Sequence, residues 1–475
     1  MIVMKFGGSS VANAERINSV ISILQTRIEN NENISVVFSA FQSVTDSLID
    51  IGNLALKRNA AYKSKLKTLT QLHFEAINEL NYGRDISILQ YKAESLFDEL
   101  SEILHGVFLV KELTAKSLDY IVSFGERLSC TIITESMINR GIDCEYLNAS
   151  QIIKTDNDFG KARVNFKLTN RNIKAYFKKH KMIQIVTGFI SSTEENEITT
   201  LGRGGSDYTA AIIGASIDAD AIEIWTDVDG ILTADPRKVA DAFSLKSVTY
   251  EEAMELSHFG AKVIYPPTML PALDKKIKII IKNTFNPEAA GTTIVEKSRE
   301  QTTDSASDIS NDSEEFFIKG ISSIDNVSLI RVQGSGMIGV SGIASRLFTA
   351  LALHKINIIL ITQASSEHSI CLAVLPEHGE KSKAILKNEF RLELLDKIIG
   401  EISVEDNLSI IAVVGEKMRH SPGIAGKIFM ALGDNAININ AIAQGSSELN
   451  ISLVINKDDL SKALNAIHSK ILKRQ

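Results

Sequence analysis

Cysteine, proline and tryptophan are scarce in this chain. Its 475 residues include three cysteines, seven prolines and a single tryptophan. Cys130, Cys144 and Cys371 are far apart and form no CxxC pair, which disfavours both a disulfide framework and a cysteine metal cluster. We expect buried, inert thiols in a reducing compartment, and this favours a cytoplasmic location.

The chain also lacks a basic surplus and a long apolar run. Its formal net charge is −7, whereas nucleic-acid binding usually shows as a basic patch or a high pI. No apolar run approaches the ~18 residues of a membrane span. The start, MIVMKFGG, reaches glycine too soon for a signal peptide. We therefore expect a soluble protein that has neither nucleic acid nor membrane as a partner.

Strand patterns alternate with helical patterns over residues 1–295. Between Asp46 and Tyr120, Leu, Ile and Phe are spaced three and four apart, as in amphipathic helices. Apolar strands separated by helices are typical of an α/β architecture with a largely buried sheet. The predicted strands are IVMKF, ISVVFSA, MIQIVTGFI, AIEIWTD and IKIIIKN.

Composition changes abruptly at residues 296–315, EKSREQTTDSASDISNDSEE. This stretch is acidic, rich in serine and aspartate, and has one large apolar residue, Ile309. Because it cannot bury enough apolar surface to offset its ordering entropy, we predict an acidic flexible linker. A phosphorylated or partner-binding tail is the alternative.

The part after the linker contains one module twice. Residue 334 matches residue 415 and residue 363 matches residue 444, both 81 positions apart. A constant offset without gaps indicates two copies of one module, each built from strands and helices. The matching residues are Gly334 and Gly415, Met337 and Met418, Phe348 and Phe429, Asn357 and Asn438, and Gln363 and Gln444.

Two glycine turns, KFGGSS at residues 5–10 and GRGGSD at residues 202–207, adjoin strand patterns and open helical segments. Neither fits the P-loop or the protein-kinase glycine loop. Such a turn presents backbone N–H groups and the positive end of a helix to an anion, and Lys5 would add a point charge. The pair of turns therefore indicates anion binding, with two ordinary tight turns as the alternative.

Charged residues give the second turn further chemistry. Arg203 can hold a carboxylate through two parallel hydrogen bonds. Asp207 could orient Lys5 or Mg²⁺, or it could cap the following helix. Downstream, WTDVDGILTADPRKV places three aspartates after a strand. The spacing and terminal glutamate of a calcium loop are missing, so a nucleotide-contacting loop at the end of a strand is the favoured interpretation.

Several motifs together carry a family resemblance. VMKFGGSSVANAERI, SAFQSVTDSL, SFGERLS, TLGRGGSDYTAA, IWTDVDGILTADPRKV, MELSHFGAKVIYPPT and the tandem repeat closely resemble the aspartate kinases, in the same order over nearly the whole chain. The resemblance implies a catalytic domain at residues 1–295 with the amino-acid kinase fold, a three-layer αβα sandwich. It also implies two ferredoxin-like βαββαβ ACT domains, at residues 316–400 and 401–475.

The resemblance also implies roles for single residues. Lys5 and Asp207 would be the catalytic pair, Glu126 would receive the α-ammonium of the substrate, and Arg203 would bind a carboxylate. The other implied substrate-binding residues are Ser39, Thr45, Gly204 and Ser206. The implied ATP-binding residues are Lys5, Gly7, Gly8, Ser9, Thr226, Asp227, Leu232, Arg237, Lys262 and Val263.

These roles fit one reaction, phosphorylation of the β-carboxylate of L-aspartate by ATP. The product would be 4-phospho-L-aspartate, from which lysine, threonine and methionine are made. A carboxylate is already deprotonated at neutral pH, so no general base is required. Catalysis then consists of aligning two anions and neutralising charge on the transferring phosphoryl group. Mg²⁺ would arrive with ATP, and we predict no separate metal site.

One residue departs from the family pattern. The family commonly has His-Pro after FGAKV, where this chain has Tyr265 and Pro266. A tyrosine can fill the space and form a hydrogen bond, but it cannot carry the charge of an imidazole near neutral pH. The departure concerns local packing rather than the reaction.

Gln363 and Gln444 are candidate effector-binding residues, each followed by one residue and then Ser-Ser-Glu. An amide can bond to both ends of a small amino acid, although a solvent-facing strand end is the alternative. ITQASSEHSI and AIAQGSSELNIS most resemble the aspartate kinases that are fused to homoserine dehydrogenase and inhibited by threonine. The chain stops after the second module, so we expect no dehydrogenase part. Threonine is the expected inhibitor, lysine the runner-up, and a homodimer or larger assembly through the ACT domains is expected.

Two other functions stay open at this point. One is a non-catalytic amino-acid sensor, which the presence of Lys5, Glu126, Arg203 and Asp207 disfavours. The other is a kinase for glutamate, acetylglutamate or carbamate. The tandem ACT modules and the GERLS segment favour aspartate over these acids.

Overall fold

The computed structural model describes residues 1–259, 264–296, 318–363, 368–419 and 421–472. Lys262 and Val263, two predicted ATP-binding residues, lie outside these ranges, as do residues 297–315 of the predicted linker. The chain divides into two compact units. The first comprises residues 1–231, 244–250 and 263–301, and the second comprises residues 232–243, 251–262 and 302–475.

Strands and helices alternate in the first part of the chain, as the sequence predicts. The strands are β1 (Ile2–Phe6), β2 (Ile34–Phe38), β3 (Cys144–Leu147), β4 (Ile183–Thr187), β5 (Ile190–Ser192), β6 (Ile198–Thr200), β7 (Ala221–Thr226), β8 (Ser247–Thr249), β9 (Ile279–Asn283) and β10 (Thr292–Val295). The helices are α1 (Ala14–Glu29), α2 (Val44–Leu56), α3 (Ala61–Leu80), α4 (Ser87–Val110), α5 (Ala115–Ile138), α6 (Phe166–Lys179), α7 (Gly205–Ser216), α8 (Tyr250–His258) and α9 (Leu270–Asp274).

Each predicted strand is confirmed by a strand at the same place. IVMKF forms β1 completely, and four helices fill the stretch between Asp46 and Tyr120. The run MIQIVTGFI divides into β4 and the start of β5, because the chain turns at Gly188 and at Phe189, which has φ of 67°. The apolar residues on both sides of Gly188 made one strand pattern of two strands.

An eight-stranded sheet organises the first unit, in the order β3-β4-β2-β1-β7-β9-β10-β8. The central strand β1 is parallel to both of its neighbours, β2 and β7. β10 runs antiparallel to β9, and β5 and β6 form a separate hairpin. Because the central strands are parallel, their carboxyl ends meet at one edge, where a ligand site is expected in an open α/β sheet.

Alternate residues of β1 face opposite layers of helices. Met4 and Phe6 lie in the core formed with α1–α5. The ring of Phe6 stacks at 5.5 Å on Phe38 of β2 and at 5.5 Å on Trp225 of β7. Lys5 points to the other face, where it pairs with Asp207 of α7. Helices on both faces of the sheet give the three-layer αβα sandwich that the family resemblance implies.

The second unit is built on one antiparallel sheet. Its strands are β11 (Gly320–Gln333), β12 (Leu360–Gln363), β13 (Ser369–Val374), β14 (Glu401–Val414), β15 (Ile439–Gln444) and β16 (Asn450–Asn456), and its helices are α10 (Ile343–Leu353), α11 (Gly379–Glu389), α12 (Arg391–Leu395), α13 (Ile424–Gly433) and α14 (Leu460–Ile471). The strand order is β12-β13-β11-β14-β16-β15. The two predicted modules are therefore present. The first follows the βαββαβ order along the chain, whereas the second ends at α14 and takes its remaining strand from the first half of β11.

The long strands β11 and β14 are divided between the two modules. The second half of β11, from Leu329, pairs with the first half of β14 and contributes to the core that contains α10 and α11. The first half, from Gly320, pairs with the second half of β14, and its Ile321 lies in the core with α13 and α14. The pairing register shifts between Ile324 and Leu329, where the halves meet. Each module thus takes half of each long strand.

Residues 232–243 fold with the second ACT module rather than with the eight-stranded sheet. Ala234 and Val239 are buried in the core that contains α13 and α14. The Thr233 hydroxyl lies 3.0 Å from Nε2 of His468, and the Thr233 carbonyl accepts a hydrogen bond of 2.8 Å from the Ile321 amide.

Within the described residues, no helix combines the length and the apolar character needed to cross a membrane.

Candidate active site

A cleft of about 350 Å³ lies at the carboxyl ends of β1 and β2. Its wall is formed by the two glycine turns, the loop that follows β2, and one residue of α5. Predicted phosphate-binding and substrate-binding residues are brought together here although they are far apart in the sequence. Those that line the cleft are Lys5, Gly8, Ser39, Thr45, Glu126, Gly204, Ser206 and Asp207.

Glycines allow the segments around the cleft to approach closely. A Cβ on Gly8 would lie 3.1 Å from the carbonyl oxygen of Ala40, and a Cβ on Gly125 would lie 2.8 Å from the Ala40 Cβ. A Cβ on Gly188 would lie 2.6 Å from Ser206. Larger residues at these positions would push the walls of the cleft apart, so the glycines set its width.

The ammonium of Lys5 lies 2.6 Å from Oδ1 of Asp207. Lys5 is the penultimate residue of β1, and Asp207 is in the first turn of α7. The N-cap residue of α7 is Gly204, and α7 has no side-chain capping hydrogen bond. Asp207 therefore orients Lys5, and the alternative prediction that it caps the helix is not supported.

Glu126 carries a buried carboxyl group in the cleft. Oε1 accepts a hydrogen bond of 3.1 Å from the Ala40 amide, and Oε2 is buried and has no hydrogen-bond partner among the residues that the structure describes. Burial raises the pKa of the Glu126 carboxyl to about 8, and backbone hydrogen bonds only partly oppose this rise. A group in this state has a free position for a cationic partner, which would favour the ionised form.

The β5–β6 hairpin, which leads into the GRGGSD turn, is held by two buried charged residues. Asp119 of α5 accepts hydrogen bonds of 3.3 Å from the Thr200 amide, 2.8 Å from the Thr200 hydroxyl and 2.9 Å from the Gly160 amide. The Lys154 ammonium donates to Ser192 at 2.8 Å and to Asn196 at 2.7 Å. Burial raises the pKa of Asp119 and lowers the pKa of Lys154.

Arg203 lies at the rim and does not line the cleft. Its side chain is exposed, and its guanidinium carbon lies 5.7 Å from the centroid of the Tyr265 ring. The residues on either side, Gly202 and Gly204, both have positive φ, at 71° and 70°. These backbone angles favour glycine, which explains why glycines flank the arginine.

The predicted ATP-binding residues are placed in three ways. Gly7 and Ser9 belong to the first turn, where the Gly7 amide donates to the Trp225 carbonyl at 3.2 Å and the Ser9 carbonyl accepts from Arg16 at 2.7 Å. Thr226 is the last residue of the neighbouring strand β7, and its hydroxyl donates a hydrogen bond of 3.1 Å to the carboxylate of Asp227, the next residue. Leu232 and Arg237 belong to the second unit.

The two predicted effector residues end equivalent strands. Gln363 is the last residue of β12 and Gln444 the last of β15, and both are exposed. β12 and β15 are the outermost strands of the sheet order, but they touch each other, since the Thr362 hydroxyl donates to the Ile442 carbonyl at 2.8 Å. The exposed positions leave both amides open to a ligand or to solvent.

Metal binding has a single candidate arrangement in the cleft. Among the described residues, no group of three or more His, Cys, Asp or Glu side chains is placed to hold a metal ion. Three carboxylates, Asp46, Glu126 and Asp207, line the cleft. Mg²⁺ is commonly bound through one or two carboxylates together with the phosphates of its nucleotide, so this arrangement fits a metal that arrives with ATP.

Sequence patterns missed several residues that form or support the cleft. Asp46 and Phe41 lie in the segment SAFQSVTDSL, whose family resemblance indicates the segment but not these two side chains. Asp119 and Lys154 carry no local signal, because their partners lie far away along the chain. Burial of a charged side chain is the property that identifies them, and it requires the fold.

Comparison with known proteins defines the class. Residues 1–283 match the amino acid kinase family, and residues 330–390 and 411–471 match the ACT domain. The two ACT matches start at residues 330 and 411, which are 81 positions apart like the repeated residues. This agreement confirms the two modules. The chain belongs to the amino acid kinase family.

Individual relatives narrow this class to the aspartokinases. The chain is 36% identical over 475 residues to the chloroplastic bifunctional aspartokinase/homoserine dehydrogenase 1 of Arabidopsis thaliana, covering 98% of this chain and 50% of that protein. It is 32% identical to the chloroplastic aspartokinase 1 of the same plant, covering 98% of this chain and 79% of that protein. The chain thus spans about half the length of the bifunctional relatives it matches.

Solved structures show the same arrangement of elements. E. coli aspartokinase III in complex with aspartate and ADP, in the R-state, matches with a TM-score of 0.80 and 25% identity, covering 100% of both chains. The T-state structure of that enzyme with lysine and aspartate matches with a TM-score of 0.78 and 26% identity, again covering 100% of both chains.

Proposed function

We propose that this protein is an aspartate kinase, which transfers the γ-phosphoryl group of ATP to the β-carboxylate of L-aspartate. The observation that carries the proposal is that two features lie in one cleft. The first is a buried carboxyl group with one oxygen that has no hydrogen-bond partner among the described residues, and the second is a lysine held by an aspartate. The first is Glu126, and the second is Lys5 with Asp207. An amino acid has the ammonium that the first requires, and ATP has the phosphates that the second attracts.

Glu126 and Arg203 would orient the substrate. The α-ammonium of aspartate would donate to Oε2 of Glu126, for which the described part of the chain provides no hydrogen-bond partner. The guanidinium of Arg203 would bind a substrate carboxylate from the rim. Cleft-lining hydroxyls and amides would complete the site, and these belong to Ser39, Thr45, Gly204 and Ser206.

The transfer itself needs little covalent chemistry from the protein. A β-carboxylate oxygen of aspartate would form a bond to the γ-phosphorus as the bond to the β,γ-bridging oxygen breaks, and ADP would leave. No proton moves, because the attacking carboxylate is already ionised. Lys5 would neutralise charge on the transferring phosphoryl group, with Asp207 holding the ammonium in place. Mg²⁺ carried by ATP would supply further charge neutralisation.

ATP would be bound along the carboxyl edge of the sheet. The turn of Gly7, Gly8 and Ser9 would hold phosphates, with the Gly7 amide bonded to the Trp225 carbonyl. Thr226 and Asp227 would contact the nucleotide at the end of the neighbouring strand. The family resemblance is the ground for four further proposed nucleotide contacts, which are Leu232, Arg237, Lys262 and Val263. The two relatives and the aspartate and ADP complex of E. coli aspartokinase III support this proposal.

Regulation would use the tandem ACT modules. We propose feedback inhibition by threonine through Gln363 and Gln444, with lysine as the second candidate. The resemblance of the segments ITQASSEHSI and AIAQGSSELNIS to the threonine-inhibited aspartate kinases supports threonine, while the lysine complex of E. coli aspartokinase III supports lysine. Assembly into a homodimer or larger oligomer through the ACT modules, a cytoplasmic location and a place in lysine, threonine and methionine synthesis belong to the same proposal.

Trapping the acyl phosphate with hydroxylamine tests the reaction directly. The purified chain with Mg-ATP should give a hydroxamate with aspartate and much less with glutamate. Glu126→Gln should raise the KM for aspartate about 10-fold or more, since a hydrogen bond to a charged group contributes about 1.5–3 kcal/mol. Glu94→Gln, on the exposed face of α4, should leave it unchanged. No hydroxamate with aspartate would favour a sensor, and a larger yield with glutamate would favour a different substrate.

Adding threonine or lysine to the same assay tests regulation. Threonine should inhibit the wild-type chain, and Gln363→Ala or Gln444→Ala should weaken the inhibition while leaving activity without effector intact. Inhibition by lysine together with indifference to threonine would overturn the choice of effector but not the proposed reaction.

A further inference from the structure

Tyr265, where the family commonly has histidine, faces the GRGGSD turn. Its ring lies below the guanidinium of Arg203, at 5.7 Å from ring centroid to guanidinium carbon. A Cβ on Gly204 would lie 2.9 Å from the Tyr265 Cβ and 3.4 Å from the edge of its ring. The tyrosine therefore packs directly against the backbone that carries Arg203.

The backbone of Tyr265 is itself held in place. Its carbonyl accepts hydrogen bonds of 2.9 Å from the Thr268 amide and 2.6 Å from the Thr268 hydroxyl. Thr268 is buried, and its methyl group would lie 3.1 Å from a Cβ on Gly204. The short 3₁₀ helix that begins after Tyr265 thus gives the ring a defined direction beneath the turn.

Arg203 has little else to fix its side chain. Within the described ranges it forms no ion pair with a carboxylate, and its side chain is exposed. A long cationic side chain loses rotamer entropy when it binds a ligand in one conformation. A partner that already restricts the guanidinium lowers this cost. The face of a tyrosine ring attracts a guanidinium and leaves its in-plane N–H groups available as donors.

We propose that Tyr265 is a positioning residue for Arg203, holding the guanidinium at the rim of the cleft with its N–H groups free for the carboxylate of an amino-acid substrate. The proposal rests on the proposed function, because it takes Arg203 as a substrate-binding residue. The π face of the ring is the feature required, so phenylalanine replaces tyrosine while an aliphatic residue of similar bulk does not.

Steady-state kinetics of two variants tests this. Tyr265→Leu keeps apolar bulk but removes the ring, and it raises the KM for aspartate about 2–5-fold, the range expected for losing an exposed cation–π contact. kcat and the KM for ATP stay within about 2-fold of wild type, the spread expected when uniform substrate binding alone is lost. Tyr265→Phe keeps the ring and gives wild-type values. Thermal unfolding of both variants checks that the fold is retained.

The same substitution in a second background separates two kinds of failure. In Arg203→Ala, the added Tyr265→Leu causes no further rise in the KM for aspartate, because the guanidinium is already gone. An equal rise in both backgrounds, a Phe variant that behaves like the Leu variant, or an effect on ATP alone would overturn the role of Tyr265. If Arg203→Ala leaves the KM for aspartate unchanged, the substrate role of Arg203 falls instead, and the proposal built on it falls with it.

Discussion

Lys5 and Asp207 form an ion pair of 2.6 Å between strand β1 and the first turn of α7, with only 11% and 14% of their side chains exposed. This pair joins the two glycine turns, since Lys5 precedes the first and Asp207 ends the second. Its charges therefore serve both the packing of the turns and the proposed phosphoryl transfer. The two contributions can be separated by substitution.

Lys5→Met should abolish activity and also destabilise the fold. Methionine keeps the length of the side chain but leaves the Asp207 carboxylate buried without its partner, which costs about 3–5 kcal/mol. Lys5→Met with Asp207→Asn should recover much of the free energy of unfolding but none of the activity. Urea unfolding and the hydroxamate assay measure the two effects. A hundredfold loss of activity corresponds to about 2.7 kcal/mol of activation free energy. If the double variant keeps more than about one hundredth of the wild-type activity, the role of Lys5 is contradicted.

Substrate binding should release a proton from Glu126. The pKa of this carboxyl is about 8 in the ligand-free protein because of burial, so the group is mostly protonated at neutral pH. The ammonium of aspartate favours the ionised form and lowers this pKa. We expect about one proton released per aspartate bound at neutral pH, measured by titration calorimetry in buffers of different ionisation enthalpy. The KM for aspartate should accordingly fall as the pH rises toward 8.

Glu126→Gln is the control for this proton. It should bind aspartate more weakly and release no proton. Without ligand, the folded wild type holds a proton that the unfolded chain loses above its ordinary carboxyl pKa. Its free energy of unfolding therefore falls as the pH rises from about 4.5 to about 8, and the glutamine variant should lack this fall. Proton release that persists in Glu126→Gln would assign it to another group.

His73 should make the protein sensitive to acid. Its ring stacks on Phe41, a residue of the cleft wall, at 4.9 Å, and its Nε2 is buried with no partner in the described ranges. Burial lowers the pKa of His73 to about 4, so between about 4 and 6.5 the unfolded chain binds a proton that the folded chain does not. The free energy of unfolding should fall by up to about 3 kcal/mol as the pH drops through this window.

His73→Phe should flatten this dependence while keeping an aromatic ring against Phe41. His105→Phe, on the exposed side of α4, is the matched control and should leave the slope unchanged. Urea unfolding at several pH values measures the effect. A slope that is the same in the wild type and in His73→Phe would show that other groups cause the acid sensitivity.

Asp119 should link the stability of the β5–β6 hairpin to substrate binding. Asp119→Ala removes the acceptor of two donors on the buried Thr200 and of the Gly160 amide, which should cost about 2–3 kcal/mol. Because β6 leads into the turn that carries Arg203, the KM for aspartate should rise more than the KM for ATP. Thr200→Val removes one of the three bonds and should give a smaller loss of both. Equal effects on the two KM values would indicate general destabilisation only.

Much of the site could be predicted because its signals are local. KFGGSS and GRGGSD are short turns in which glycine permits a positive φ or a close approach of another segment. A buried strand adjoins the first turn. The offset of the repeat is likewise visible without any knowledge of packing. These features depend on residues that are neighbours in the sequence.

The remaining features depend on packing between distant segments. The residues next to Asp119 in the sequence do not indicate that it accepts hydrogen bonds from Thr200. At Tyr265, the family pattern indicates only that tyrosine replaces the usual histidine. The Ala40 amide that bonds to Glu126 lies on a different segment from SFGERLS. The assignment of residues 232–243 to the second unit also required the fold, since their core partners are in α13 and α14.

The division of β11 and β14 between the two ACT modules has a consequence for how the chain is made. The half-strand from Gly320 leaves the ribosome before either module, yet its partners in the second core emerge last. Until α14 is synthesised, its apolar face has no completed core to enter. A chain cut at residue 400 would also remove the half of β14 that pairs with Leu329–Gln333. The modules are therefore repeated in sequence but share both long strands, so removing one module takes away strand partners of the other.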